Sequence, residues 1–333
     1  MIVTESLTKV YRKGLRAVDG VSFTVFAGEV FGLLGPNGAG KSTTMAMLTT
    51  ILRPSSGRAW VCGYEVTVSS LMVRQQIGYV SQDIAVDDSL TGWDNLVLQG
   101  HLYHLAGREL AKRVAAVLEM VDLVDRAHDL VETYSGGMRK RLDLAAGLLH
   151  RPRVLFLDEP TLGLDIQTRH RIWEYIQRLC REEGITVFLT THYMEEADRL
   201  CDRVAIMDHG RICALDRPAA LKETIMGDVI TLGLAGEPAD RKGELVALVE
   251  RLPLVSKVSV VRDGLSLLVE NGEKAIPAIM TILNSRGATV ESLSLKRPTL
   301  EDVFLHYTGR ELREEGGGEA FHRTARALRR ARR

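Results

Sequence analysis

Apolar and polar residues alternate from Met1 to about Gly28, as in Val21-Ser22-Phe23-Thr24-Val25, a pattern that predicts half-exposed antiparallel strands. Val30-Phe31-Gly32-Leu33-Leu34 follows as an apolar run of strand length. Lys41 to Leu52 then reads as a helix, stopped near Pro54. From about Asp83 to His150 the period is helical, with candidate helices from Leu90 to Leu105 and from Leu110 to Val124. Beyond Arg153, strands and helices alternate again. Val154-Leu155-Phe156-Leu157 and Thr186-Val187-Phe188-Leu189 have the unbroken apolar character of buried parallel strands. A third, Val204-Ala205-Ile206-Met207, runs into the turn Asp208-His209-Gly210. Together these elements predict an α/β core with an antiparallel β part before it and a helical insertion between its two halves.

A composition shift at Met226-Gly227-Asp228 marks a linker. After it the pattern predicts strand Val229–Leu234, helix Arg241–Arg251, strands Val255–Arg262 and Leu265–Val269, helix Glu273–Arg286 and strand Val290–Lys296. Asp263-Gly264 between two alternating runs is a hairpin signal. The order β-α-β-β-α-β is that of a small α+β, ferredoxin-like unit. Thr299-Leu300-Glu301-Asp302, after Pro298, predicts a capping box that opens one more helix. The last segment is of another kind: Gly316-Gly317-Gly318 breaks any helix, and Arg323, Arg326, Arg329, Arg330, Arg332 and Arg333 follow. Two readings stand, a disordered, solvated tail over 311–333 or a basic arm that touches anionic lipid or a membrane partner.

The 333 residues suffice for about two domains. Lys and Arg number 43 and so do Asp and Glu, so no global field points to nucleic acid as a partner. The four cysteines, Cys62, Cys180, Cys201 and Cys213, form neither a C-x-x-C pair nor a zinc-spaced cluster and are expected to be buried thiols in a reducing cytosol. The N-terminus lacks a charged-then-apolar leader, and no apolar run reaches the roughly 18 residues needed to span a bilayer.

The chemistry starts at Gly35-Pro36-Asn37-Gly38-Ala39-Gly40-Lys41-Ser42-Thr43, which fits G-x-x-x-x-G-K-[ST]. Its glycines let the backbone approach phosphate and turn its N–H groups inward. Lys41 can reach β- and γ-phosphates, the Ser42 hydroxyl can ligate Mg²⁺, and the helix behind aims its N-terminus at the same anion. Strand, loop and helix come in the order this mechanism needs, which a chance Gly-rich turn would not provide. The strand from Val154 delivers Asp158 and Glu159 to its C-terminal edge, where α/β proteins bind ligands. Asp158 is expected in the Mg²⁺ shell and Glu159 against the water that attacks the γ-phosphate. Ser135-Gly136-Gly137 before a helical run offers another phosphate-binding helix N-terminus. His192 follows the next strand; such a histidine is usually structural, and beside these motifs it is a candidate to hydrogen-bond the γ-phosphate.

Taken together, these motifs resemble the nucleotide-binding subunits of ATP-binding-cassette (ABC) transporters over about residues 2 to 220. Gly35 to Thr43 matches the Walker A loop and Val154 to Glu159 the Walker B strand. Ser135-Gly136-Gly137 matches the signature loop, Leu164-Asp165 the D-loop, Gln82 the Q-loop and His192 the switch histidine. The resemblance implies that Tyr11 stacks on adenine, that Asp165 lies at the nucleotide interface, and that Gln82 joins Ser42 and Asp158 around Mg²⁺. Tyr134 and Met138 depart from the usual Leu-Ser-Gly-Gly-Gln signature. The version here, Tyr-Ser-Gly-Gly-Met-Arg-Lys-Arg-Leu-Asp-Leu-Ala-Ala, is similar to the drug-exporter branch that includes the daunorubicin/doxorubicin resistance ATPases. Pro298-Thr299-Leu300-Glu301-Asp302-Val303-Phe304 extends the likeness to about residue 310.

The resemblance implies a nucleotide-binding domain over 1–220, with a helical subdomain over 83–150. The unit over 228–310 holds no cluster of catalytic or metal-binding residues and reads either as a regulatory or dimer-supporting domain or as a packing extension. The resemblance implies catalysis by Glu159, His192 and Lys41. It also implies ATP and Mg²⁺ as cofactors and an ATP-dependent head-to-tail dimer with a second copy. The remaining partner is a separate transmembrane permease, gripped through the helical insertion at the cytoplasmic face of the membrane. Soluble ABC ATPases acting on ribosomes or DNA are the competing class; they are expected to carry two cassettes or long coiled coils, and this chain has one phosphate loop and a short insertion. A kinase or GTPase sharing only the phosphate loop would need neither Ser135-Gly136-Gly137 nor His192.

Overall fold

The computed structural model describes residues 1–225, 227–234, 239–296 and 298–309; the linker residue Met226 and the basic tail expected over 311–333 lie outside them. The N-terminal alternation becomes two antiparallel strands, Ile2–Val10 and Arg16–Val25. Ser56–Val61 pairs with the other edge of Ile2–Val10, and Tyr64–Glu65 completes a four-stranded sheet. Its inward residues Ile2, Leu7, Val18, Val25, Ala59 and Val61 are fully buried. They share one core with Phe31, Met45 and Phe156 of the neighbouring α/β unit, where Phe23, Phe31 and Phe188 stack at 5.2–5.9 Å.

The α/β unit holds a six-stranded sheet in the order Arg211–Asp216, Arg203–Asp208, Val30–Leu34, Thr186–Thr191, Val154–Asp158, Ile77–Val80. All neighbours run parallel except the first pair. Val30–Leu34, Val154–Asp158 and Thr186–Thr191 are buried at every position, as their unbroken apolar runs predict. The register aligns their C-terminal ends: Leu34 pairs with Thr191, Asp158 with Thr190, and Val80 with Leu157. Four chain segments therefore leave the sheet side by side.

The helix from Lys41 stops at Leu48, short of the expected Leu52. The Thr49 hydroxyl turns back to donate to the Met45 carbonyl (2.9 Å), and Thr50 enters the left-handed region at φ 64°. In the insertion the two expected helices form as Gly92–Leu102 and Gly107–Met120, followed by a third, Gly136–Leu148. Thr91 caps the first by accepting from the Asp94 N–H (3.0 Å). Asp122, at φ 51°, ends the run of the second.

The C-terminal unit forms in the expected order and nearly the expected bounds: strands Asp228–Leu234, Val255–Val261, Gly264–Val269 and Val290–Lys296, with helices Ala239–Val249 and Gly272–Ser285. Every neighbouring strand pair is antiparallel, and the first strand lies between the third and the fourth, the sheet of a ferredoxin-like unit. The last helix, Leu300–Thr308, opens with the capping box of Thr299 and Asp302. Its Leu300, Val303 and Phe304 do not join the small unit's core. They pack with Leu200, Leu221 and Ile225 in the core of the larger one, so this helix binds the two units together. The cysteine expectation holds in part. All four are free thiols, but only Cys180 and Cys201 are buried; Cys62 is half-buried and Cys213 is exposed.

Candidate active site

The loop after Val30–Leu34 turns tightly, with the Ala39 N–H donating to the Pro36 carbonyl (3.1 Å), and Gly40 opens the helix Lys41–Leu48. Gly40 has φ 105°, and a side chain there would collide with the Ala17 carbonyl oxygen, so only glycine fits. The Gly210 N–H, from the turn after Arg203–Asp208, donates to the Ala39 carbonyl (2.9 Å) and pins the loop from behind. Pro36, Asn37, Gly38 and Ser42 remain at the surface or near it.

Lys41 is 4% exposed. Its ammonium donates to the Gly35 carbonyl (2.7 Å) and the Pro36 carbonyl (3.1 Å), and lies 3.3 Å from Glu159 Oε1. Burial pulls its pKa down, and Glu159 and Asp158 oppose that pull. The other oxygen of Glu159 accepts from His192 Nδ1 at 3.0 Å. A carboxylate only accepts, so Nδ1 carries the proton in this arrangement. Burial alone would raise the Glu159 pKa, but the His192 hydrogen bond and the Lys41 cation outweigh it, and the net direction is down. Glu159 therefore stands ionised, with its backbone in the left-handed region at φ 47°. Its N–H donates to both the carbonyl (3.2 Å) and the hydroxyl (3.1 Å) of Thr190.

Asp158 Oδ1 accepts from the Ser42 hydroxyl (3.0 Å) and the Thr190 hydroxyl (2.5 Å). Burial raises its pKa, and those two hydrogen bonds pull against the rise. A hydroxyl and a carboxylate side by side are hard oxygen donors that suit Mg²⁺ when phosphate supplies further ligands. Among the described residues no group of three or more His, Cys, Asp and Glu could hold a metal by itself. Gln82 follows the strand Ile77–Val80 and is half-buried; its side chain makes no hydrogen bond to Ser42 or Asp158.

The remaining site residues lie apart from this cluster. Ser135 caps the helix Gly136–Leu148 by accepting from the Met138 N–H (3.3 Å), and Ser135 and Gly136 are exposed. A side chain at Gly137 would strike Thr168. Thr168 in turn belongs to the helix Ile166–Glu183, which Asp165 caps by accepting from the Thr168 N–H (2.9 Å). Signature loop and Asp165 thus adjoin each other, and no hydrogen bond joins either to the phosphate loop. Tyr11 is half-buried before the turn Arg12–Gly14, with Lys9 Nζ 5.7 Å from its ring centre. Tyr134 is buried in the insertion and donates to the Arg126 carbonyl (2.5 Å), while Met138 packs against the same core.

Two contributors carry no motif. Thr190 holds both carboxylate residues, and Glu196 is fully buried behind them. Glu196 Oε1 accepts from Thr161 (2.7 Å) and from Trp173 Nε1 (2.8 Å), which ties the chain just beyond Glu159 to the helix that follows His192. Nothing in the sequence separates Glu196 from its exposed neighbour Glu195.

Fold and site together define the class: the chain belongs to the ATP-binding proteins of ABC transporters, ATPases whose hydrolysis is coupled to transport. A family model described as ABC transporter matches residues 18–162, and one described as ATP-binding protein DrrA1-3-like, C-terminal domain, matches residues 217–308. The chain is 44% identical over 299 residues to the daunorubicin resistance ATP-binding protein DrrA3 of Streptomyces coeruleorubidus, covering 90% of this chain and 93% of that one. It is 40% identical over 317 residues to the linearmycin resistance ATP-binding protein LnrL of Bacillus subtilis, covering 94% of this chain and all of the relative. Among solved structures, dimeric MJ0796, a bacterial ABC transporter cassette, superposes with a TM-score of 0.59 at 26% identity, over 65% of this chain and 98% of that one. These likenesses support a transport ATPase and not a ribosome- or DNA-acting one.

Proposed function

We propose that this chain binds Mg-ATP between the phosphate loop of one copy and Ser135-Gly136-Gly137 of a second, and that hydrolysis drives a separate membrane permease. The proposed cargo is a hydrophobic drug or antibiotic-like compound, moved outward; the resistance roles that DrrA3 and LnrL are named for support that direction and class. Residues 1–220 would serve as the nucleotide-binding domain, with 83–150 as its helical subdomain, and 228–310 as a regulatory or dimer-supporting domain. The chain would work at the cytoplasmic face of the membrane through the permease; among the described residues no helix is long and apolar enough to cross a membrane.

The observation that carries this reading is the convergence of Lys41, Ser42, Asp158, Glu159 and His192 at one sheet edge, while Ser135 and Gly136 are exposed apart from it. Glu159, ionised and fixed, is suited to take a proton from an attacking water. Lys41 donates to two loop carbonyls and faces Glu159, so an incoming phosphate competes for the same ammonium. With Nδ1–H engaged on Glu159, His192 can donate to phosphate through Nε2 only as imidazolium or after a tautomer change. Ser42 and Asp158 would hold Mg²⁺, which neutralises charge on the phosphates. Adenine would stack on Tyr11; Gln82 would complete the metal shell by moving toward Ser42 and Asp158, and Asp165 would line the interface between copies.

Measured ATP binding and steady-state turnover test these roles. Glu159→Gln should bind ATP and lose turnover by at least about a hundredfold, and Lys41→Ala should lose affinity for ATP itself. Normal hydrolysis by Glu159→Gln, or unchanged affinity in Lys41→Ala, would remove the assigned role.

A further inference from the structure

The helix Gly136–Leu148 buries two opposite charges. Lys140 is 3% exposed and Asp143 is 5% exposed, and they face each other at 3.6 Å one turn apart. Buried charges of this kind are costly unless they are paired and hydrogen-bonded. Both reach across to the same short segment. Lys140 Nζ donates to the Ser81 carbonyl (2.9 Å), and Asp143 Oδ1 accepts from the Ala85 N–H (3.4 Å). Those two backbone groups flank Gln82, in a stretch with no strand or helix to satisfy them. The contact continues down the helix. Side chains at Gly147 or Gly78 would meet the facing element, Val80 in one case and the Gly147 carbonyl in the other. Lys140, Asp143 and Gly147, spaced three and four apart, form one stripe against strand Ile77–Val80 and the segment beyond it.

We propose that the Lys140–Asp143 pair is a positioning device that ties the Gln82 segment to the signature loop, so that a change at Gln82 repositions Ser135-Gly136-Gly137. Ser135 caps the same helix five residues before Lys140, about 7.5 Å along its axis, so the two move as one rigid body. Lys140 and Asp143 touch no nucleotide in this account. They act through the backbone at Ser81 and Ala85. The proposal rests on the nucleotide-site reading above.

Hydrogen–deuterium exchange on the full chain, kept dilute enough to stay monomeric by light scattering, tests it. In the unmodified chain, Mg-ATP should change exchange in residues 35–43, 81–86 and 135–142, the last two with the same ATP midpoint. Lys140→Met/Asp143→Leu replaces the pair with apolar side chains of similar size, a change that cores commonly accept. It also removes the partners of the Ser81 carbonyl and the Ala85 N–H, so its melting temperature should fall by a few degrees; it should keep the responses at 35–43 and 81–86 and lose the response at 135–142. Steady-state turnover should fall about tenfold with little change in KM, a size typical of coupling between sites. Lys140→Arg, which keeps a cation able to donate to the Ser81 carbonyl, should retain the response. A response at 135–142 that survives in the double variant, or is missing or differently centred in the unmodified chain, would overturn the tie. Should the double variant fold poorly, Lys140→Met alone, which removes the donor to the Ser81 carbonyl, is read in the same way. Absence of any response at 35–43 in the unmodified chain would instead overturn the nucleotide-site reading, and the tie with it.

Discussion

Glu159 combines an unfavourable backbone with a favourable side-chain setting. Its left-handed φ of 47° costs about 1–3 kcal/mol for a residue of this type, and the double hydrogen bond from its N–H to Thr190 holds it there. Its carboxylate pairs with Lys41 and His192, so its folded pKa lies below the ordinary 4.5. The stabilisation that follows is full above pH 4.5 and is lost as pH falls through the folded value. Wild type should therefore be more stable than Glu159→Gln at pH 7, by about 1–3 kcal/mol, and the gap should close below pH 4.5. Denaturant melts of both proteins across pH 3–7 read this directly, and a gap that widened in acid would contradict the pairing. At this scale the sequence reveals Asp158 and Glu159, because a buried strand that ends in two carboxylates is unusual. It conceals Thr190 and Glu196, which look like ordinary strand and helix residues until the fold brings their partners to them.

Among the elements, those with a strong period are legible and those without one are not. The ferredoxin-like unit is predicted almost residue for residue because its strands alternate and Asp263-Gly264 marks its hairpin. Ile77–Val80 is too short to show a period, and the exposed Arg211–Asp216 mixes apolar and charged residues on an edge. Neither strand is apparent from sequence, although Gln82 lies two residues beyond the first. Lys140 and Asp143 mislead for a further reason: charges on a helix read as a solvated face, and here they are buried. The capping box shows the opposite case, a local rule that holds. Thr299→Ala removes the acceptor for the Asp302 N–H and should cost about 1 kcal/mol, seen as a lower melting temperature. Phe304→Ala, in the same helix, opens a cavity in the larger core and should cost about 3–5 kcal/mol. An unchanged melting temperature in Phe304→Ala would mean that the helix does not bind the two units.

For the whole molecule, the decisive feature is that its phosphate-handling elements come in two sets that one chain does not bring together. The phosphate loop, Asp158, Glu159 and His192 converge; Ser135-Gly136-Gly137 and Asp165 adjoin each other, and no hydrogen bond joins them to that cluster. A single chain's sequence cannot state that a site is shared, because the partner's half lies at the same residue numbers. The proposed sharing rests on that separation and on the dimeric form of the related cassette. Size-exclusion chromatography with light scattering on purified Glu159→Gln tests it most directly. The expected result is a monomer without nucleotide and twice the chain mass with saturating Mg-ATP. A protein that binds Mg-ATP and keeps the monomer mass would contradict the shared site.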